Sequence, residues 1–171
     1  MTVGVFLGSG VVTREATLPA ERLAGLFADD VVMIGLTLEP VAGIEPGEIF
    51  APQVTLDAAR PTALVIPGGF GCRPMSQDEG IVGRIREIAT TCDGVLSIST
   101  GTLLLAATGL LAGRTVAGHW LTRDELEPYG CDLSEAQIER TGRLFTTSGA
   151  QAALEAVPLL ADVMLYGPVS G

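Results

Sequence analysis

The chain has 171 residues, 47% of them apolar and 18% charged, a composition that fills a substantial core and excludes disordered, collagen-like and disulfide-stapled classes. Twenty acidic residues against ten basic ones leave a net charge of −10 and a pI near 4.4. Nucleic-acid phosphates are repelled by such a surface, and no cluster of Lys and Arg offsets it.

In chain order, Val3–Leu7 is a short apolar run ending in Gly8-Ser9-Gly10, which reads as a buried strand. Leu23, Leu26 and Phe27 fall at helical spacing, predicting a helix over 19–28 with Pro19 in its first turn. Residues 31–38 read as a strand, and 44–56, broken by Pro46-Gly47 and Pro52, as a hairpin or edge segment. Ala63–Ile66 is a strand halted by Pro67-Gly68-Gly69, followed by a helix over 77–91 with Ile81, Ile85 and Ile88 on one face. Then come a strand over 94–98, a helix over 100–108, a short strand over 114–117 and a brief helix over 122–126. Strands over 137–141 and 144–147 and a helix over 150–165 complete the chain. Continuous apolar strands alternating with helices predict an α/β fold, a mostly parallel sheet covered on both faces, in one domain over residues 1–171. Ligands of such sheets bind beyond the C-terminal ends of the strands.

The N-terminal run has no basic residue ahead of it, and the apolar stretch Leu103–Leu111 is too short to span a bilayer. Three cysteines, Cys72, Cys92 and Cys131, are an odd number without metal-ligand spacing. A cytoplasmic protein, with no membrane association and no metal or cofactor, is the expectation.

Two strand-to-helix turns carry the chemistry. Around Ser99, the small residues Ser97 and Gly101 stand two before and two after a hydroxyl at the end of a buried strand. That spacing suits a nucleophile elbow, whose tight turn leaves room only for small flanking groups. The Thr100 N–H then lies where an oxyanion would be stabilised. The plainer role for Ser99 is to cap the following helix, and both roles are open. In Gly68-Gly69-Phe70-Gly71 the glycines admit close approach of a ligand to backbone N–H groups, so Gly69 is the expected second oxyanion donor. An ordinary Gly-rich turn is the alternative.

The strings Leu64-Val65-Ile66-Pro67-Gly68-Gly69, Ser99-Thr100-Gly101 with the apolar run to Gly113-Arg114, and His119-Trp120 resemble the DJ-1/PfpI superfamily. The likeness runs roughly from Val3 to Leu165 and is strongest toward the isonitrile hydratases and the ligand-sensing domains of AraC-type regulators. It implies a flavodoxin-like sandwich, a homodimer, and a site near the dimer interface. In that branch the elbow reads Cys-Thr-Gly, so Ser99 stands where the family has its cysteine. Aligning Gly10–Pro19 with the family's Gly-x-x-x-x-Asp-x-x-Gly-Pro puts Glu15 on the family's acid/base carboxylate, with Thr100 beside the nucleophile also in the site. A solvated Glu at a helix start is the alternative.

A serine hydroxyl has no thiolate-like fraction at neutral pH and needs a base. His119, the chain's one histidine, is the candidate, against a packing role beside Trp120. Glu15, Ser99 and His119 are therefore the candidate catalytic residues, and Gly68, Gly69, Phe70, Thr100, Thr102 and Trp120 the candidate substrate contacts. Cys72 is a candidate replacement thiol or an inert buried cysteine. The reading is a hydratase-like enzyme of small molecules, or an adapted lyase or cyclase, using acid/base chemistry at Glu15. Its alternatives are a binding domain that lost its cysteine and a Cys-to-Ser form of an isonitrile hydratase. The net charge predicts a neutral or cationic ligand, with Arg14, Arg73 and Arg123 the nearest basic candidates.

Overall fold

The computed structural model describes residues 1–168. Strand β1 (Thr2–Phe6) leads into helix α1 (Thr13–Phe27) and strand β2 (Asp30–Gly35). Short strands β3 (Val41–Ala42) and β4 (Ile49–Phe50) pair with each other, and β5 (Val54–Thr55) joins the main sheet beside β2. Strand β6 (Ala63–Ile66), helices α2 (Cys72–Ser76) and α3 (Glu79–Thr91), strand β7 (Gly94–Ile98) and helix α4 (Gly101–Ala107) come next. After β8 (Thr115–Val116) come a 3-10 turn at Trp120–Thr122, α5 (Arg123–Leu126), and β9 (Asp132–Leu133), which pairs with β8. Strands β10 (Ile138–Thr141) and β11 (Leu144–Thr147) and helix α6 (Ala150–Tyr166) finish the described chain.

The seven-stranded sheet has the order β10-β11-β7-β6-β1-β2-β5 and is parallel except for β10. Its central strands are apolar on both sides because each feeds two cores. Val3 and Val5 of β1, Ala63 and Val65 of β6, and Leu96 and Ile98 of β7 pack with the inner faces of α1 and α6. Phe6, Leu64, Ile66 and Val95 point the other way, into the layer of α2, α3 and α4. The fold is thus the expected α/β arrangement with helices on both faces. Among the described residues no helix is long and apolar enough to cross a membrane.

The structure corrects one boundary that matters for the site. Helix α1 starts at Thr13, not at Pro19, and Pro19 lies inside it. The reason is tertiary. Val11 bridges Gly69 and Gly43, and the Val12 N–H donates to the Gly68 carbonyl at 3.0 Å. This pairing fixes the chain just before Thr13, and the helix begins there. Glu15 therefore sits in the first turn of a helix rather than in a loop. Helix α2 departs from the sequence pattern too, since its five residues include Pro74 and come directly after a Gly-rich turn.

Candidate active site

Ser99 follows β7 with φ +56°, a left-handed conformation that non-glycine residues rarely adopt. Its N–H donates to the Thr147 carbonyl at 2.8 Å, which ties the turn to β11. Gly101 lets the chain enter α4 hard against β6: a methyl group there would lie 2.1 Å from the Ile66 carbonyl oxygen. The residue at the N-cap of α4 is Thr100, and no side chain caps that helix. Ser99 therefore has no capping role, and the left-handed turn at the end of a strand has the form of an elbow.

The Gly-rich turn faces this elbow. The Gly68 N–H donates to Glu15 Oε2 at 2.7 Å, and the Gly69 N–H donates to Thr100 Oγ1 at 2.9 Å. A methyl group on Gly68 would lie 2.7 Å from Glu15 Oε2, 2.9 Å from Thr100 Oγ1 and 3.1 Å from Ser99 Cβ. Gly68 is thus the point on which three elements converge, and its missing side chain is what lets them meet. Glu15 is 6% exposed. Burial pushes its carboxyl above the usual carboxylate range, partly opposed by the Gly68 N–H, which favours the charged form. The site therefore holds a carboxyl group with a raised proton affinity that meets the Thr100 hydroxyl and the Ser99 side chain at Gly68.

Other expectations need correction. Gly69 is not a free oxyanion donor, because its N–H is committed to the Thr100 hydroxyl. The Thr100 N–H makes no hydrogen bond among the described residues. Thr102 is fully buried; its hydroxyl lies 2.9 Å from Ser97 Oγ and donates to the Ala117 carbonyl at 2.9 Å. It joins α4 to β7 and to the chain before His119, and does not reach a ligand. His119 forms no hydrogen bond with Ser99 among the described residues. Its Nδ1 accepts from the Leu121 N–H at 3.2 Å, and its ring stacks on Trp120 with centroids 5.9 Å apart. In neutral histidine the proton then sits on Nε2, so the ring offers a donor rather than a base. Phe70 and Trp120 are 71% and 74% exposed and stand on the rim.

Cys72 is a residue whose place only the fold reveals. It is buried against the Pro67 carbonyl, next to Thr100. Burial pushes its thiol up to about 11, a hydrogen bond from Thr100 lowers it, the Glu15 charge raises it, and Arg73 lowers it. A group with that affinity for its proton is not a thiolate at neutral pH. Burial likewise pushes the Cys92 thiol up to about 12 and raises that of Cys131. Among the described residues no group of three or more His, Cys, Asp or Glu is placed to hold a metal ion. Arg73 is engaged by Glu125, its Nε lying 2.8 Å and 2.9 Å from the two carboxylate oxygens.

Comparison with known proteins identifies the family and the fold. The profile of the DJ-1/PfpI family matches residues 1–161. An isonitrile hydratase of Pseudomonas putida is 30% identical over 170 residues, covering 96% of this chain and 72% of that protein. Among solved structures, a ThiJ/PfpI family protein from Pseudomonas syringae superposes with a TM-score of 0.84 at 23% identity, over 95% of this chain and 68% of that one. Schizosaccharomyces pombe DJ-1 superposes with a TM-score of 0.78 at 17% identity, over 99% and 93%. These two share the fold.

Proposed function

This chain belongs to the DJ-1/PfpI family, and from that membership we propose that it is a hydratase-like enzyme of small molecules in which Glu15 moves the protons. The observation that carries the reading is the position of Glu15: a buried carboxyl with raised proton affinity, meeting Ser99 and Thr100 at Gly68. A general acid near neutral pH needs such an environment. The similarity to an isonitrile hydratase makes addition of water to an isonitrile the reaction to test first. In that step Glu15 delivers a proton to the isonitrile carbon while a water held by Ser99 adds to the same carbon. The carboxylate then takes the water's proton, leaving R–N=CH–OH, which rearranges to the N-substituted formamide. Addition of water leaves a neutral lone pair on the substrate nitrogen, and the Thr100 N–H, which makes no hydrogen bond among the described residues, is the donor available to it. Exposed Phe70 and Ile44, on either side of Val11, support a homodimer with this rim in its interface, and we place the protein in the cytoplasm.

Turnover of an isonitrile panel by the parent, Ser99→Ala, Ser99→Cys and Glu15→Gln, followed by mass spectrometry, tests the proposal. Formamide is expected from the parent, with Glu15→Gln slower by about a hundredfold or more and Ser99→Ala by much less. A second reading, a binding domain, is favoured by two observations: the Gly69 N–H is filled and no thiol stands at position 99. Activity in Ser99→Cys alone would support that reading, or a Cys-to-Ser form of a hydratase, over the first.

A further inference from the structure

A cavity of about 480 Å³ opens beside the elbow, between the chain at Gly118–Arg123 and the chain at Leu133–Gln137, closed below by Ser148. It lies at the C-terminal ends of β7 and β11, where ligands of parallel sheets bind, and its volume suits a small molecule. Gly118 on its wall connects it to the elbow: a methyl group there would lie 3.4 Å from the Ser99 carbonyl oxygen.

Three side chains that line this cavity keep donors. His119 Nδ1 is filled by the Leu121 N–H, leaving Nε2–H. Gln137 Oε1 is filled by the Ser148 hydroxyl at 2.5 Å, leaving the amide NH₂. Arg123 gives one N–H to the Leu133 carbonyl at 3.3 Å and, among the described residues, forms no ion pair. Trp120 adds a largely exposed indole face. Opposing them, the Ser134 and Ser148 hydroxyls donate to Glu139 and Gln137, and the exposed carboxylate of Glu135 stands on the rim, which disfavours a second negative charge.

We propose that this cavity is a recognition subsite for a planar monocarboxylate whose conjugated or aromatic body stacks on Trp120 while its oxygens meet Arg123, His119 and Gln137. Planar guanidinium and planar carboxylate match in geometry. The subsite revises the expectation of a neutral or cationic ligand, because nearby donors outweigh a net charge spread over the whole surface. The inference rests on the proposed function and deepens it by naming the substrate class: a small planar acid that also carries the reacting isonitrile group.

Trp120 is the only tryptophan in the chain, so intrinsic fluorescence reports on the cavity without any turnover. Benzoate, benzamide and benzylamine, which share one ring, are titrated into the parent protein. Saturable quenching is expected from benzoate, weaker binding from benzamide and none from benzylamine. Arg123→Gln, shown to be folded by circular dichroism, is expected to weaken benzoate about tenfold, the lower range for a hydrogen bond to a charged group. Amide chemical shifts moved by benzoate in the parent are expected at Gly118 and Gln137 rather than at Gly68 and Thr100. Equal quenching by benzylamine, an unchanged benzoate affinity in Arg123→Gln, or shifts confined to Gly68 and Thr100 each overturn the proposal. Glu15→Gln is expected to bind benzoate as the parent does. A parent that binds benzoate but hydrates no isonitrile overturns the proposed reaction and leaves the subsite standing.

Discussion

The Gly68–Ser99 junction and the His119–Trp120 cavity stand side by side at one end of the sheet, yet they are built on opposite terms. At the junction the three polar residues are buried and each is tied to another element: Glu15 by the Gly68 N–H, Thr100 by the Gly69 N–H, Ser99 through its backbone to Thr147. Burial there raises the proton affinity of the carboxyl and leaves little room to adjust. At the cavity, the ring of Trp120 is exposed and the donors of Arg123 and Gln137 are only partly engaged. The difference separates a rigid place where protons move from an open place where a ligand is held. Rigidity sets reactive geometry to within a fraction of an ångström, whereas recognition tolerates side chains that adapt.

The comparison is broken most severely by Gly101→Ala. Its methyl group would meet the Ile66 carbonyl oxygen, a backbone atom that cannot step aside. A loss of about 3 kcal/mol in urea unfolding is expected, the upper range for overpacking, while Gly83→Ala in α3, with open space and no positive φ, loses far less. Thr102→Val probes the strut between the two regions. It leaves Ser97 without a partner and frees the Ala117 carbonyl, and a loss of about 1–2 kcal/mol is expected, with Thr102→Ser recovering most of it. A Thr102→Val protein as stable as the parent would mean that the strut carries no load.

The carboxyl at the junction leaves its own mark on stability. Folding raises the affinity of Glu15 for its proton above the ordinary value of 4.5. Its contribution to stability is therefore fully present below pH 4.5 and is lost as pH rises through the raised folded value. Relative to the parent, Glu15→Gln should gain stability across that same rise, and a flat difference between the two proteins would place the carboxyl in water. The smallest effect is Ser99→Gly, which removes the left-handed strain at φ +56°. A gain of about 1 kcal/mol in unfolding free energy is expected, against no gain if the elbow is unstrained.

The strands Ala63–Ile66, Gly94–Ile98 and Leu144–Thr147 are legible to the residue, because each is an apolar run closed by turn residues. Ser99 is legible as an elbow for a similar reason, since Ser97 and Gly101 flank it locally. Less of the site can be read this way. The start of α1 depends on Val11 and Val12 meeting a turn more than fifty residues further on, while the local rule places Pro19 at the helix start. Thr102 looks like a ligand contact by its nearness to Ser99, but the first turn of α4 carries it into the core. Gly69 looks like a free donor until Thr100 arrives at its N–H, and His119 looks like a base until the Leu121 N–H claims its Nδ1.

What the sequence by itself determined is the layered α/β architecture, the two strand-to-helix turns, and the family to which they belong, because hydrophobic periodicity and steric spacing are local properties. What only the tertiary structure decided is the state of each polar group: Glu15 buried and inclined to hold its proton, Gly69 spent, His119 a donor, Cys72 a thiol beside Thr100. Hydrogen-bond partners and desolvation come from segments far apart in the chain, and their energies exist only once those segments have met.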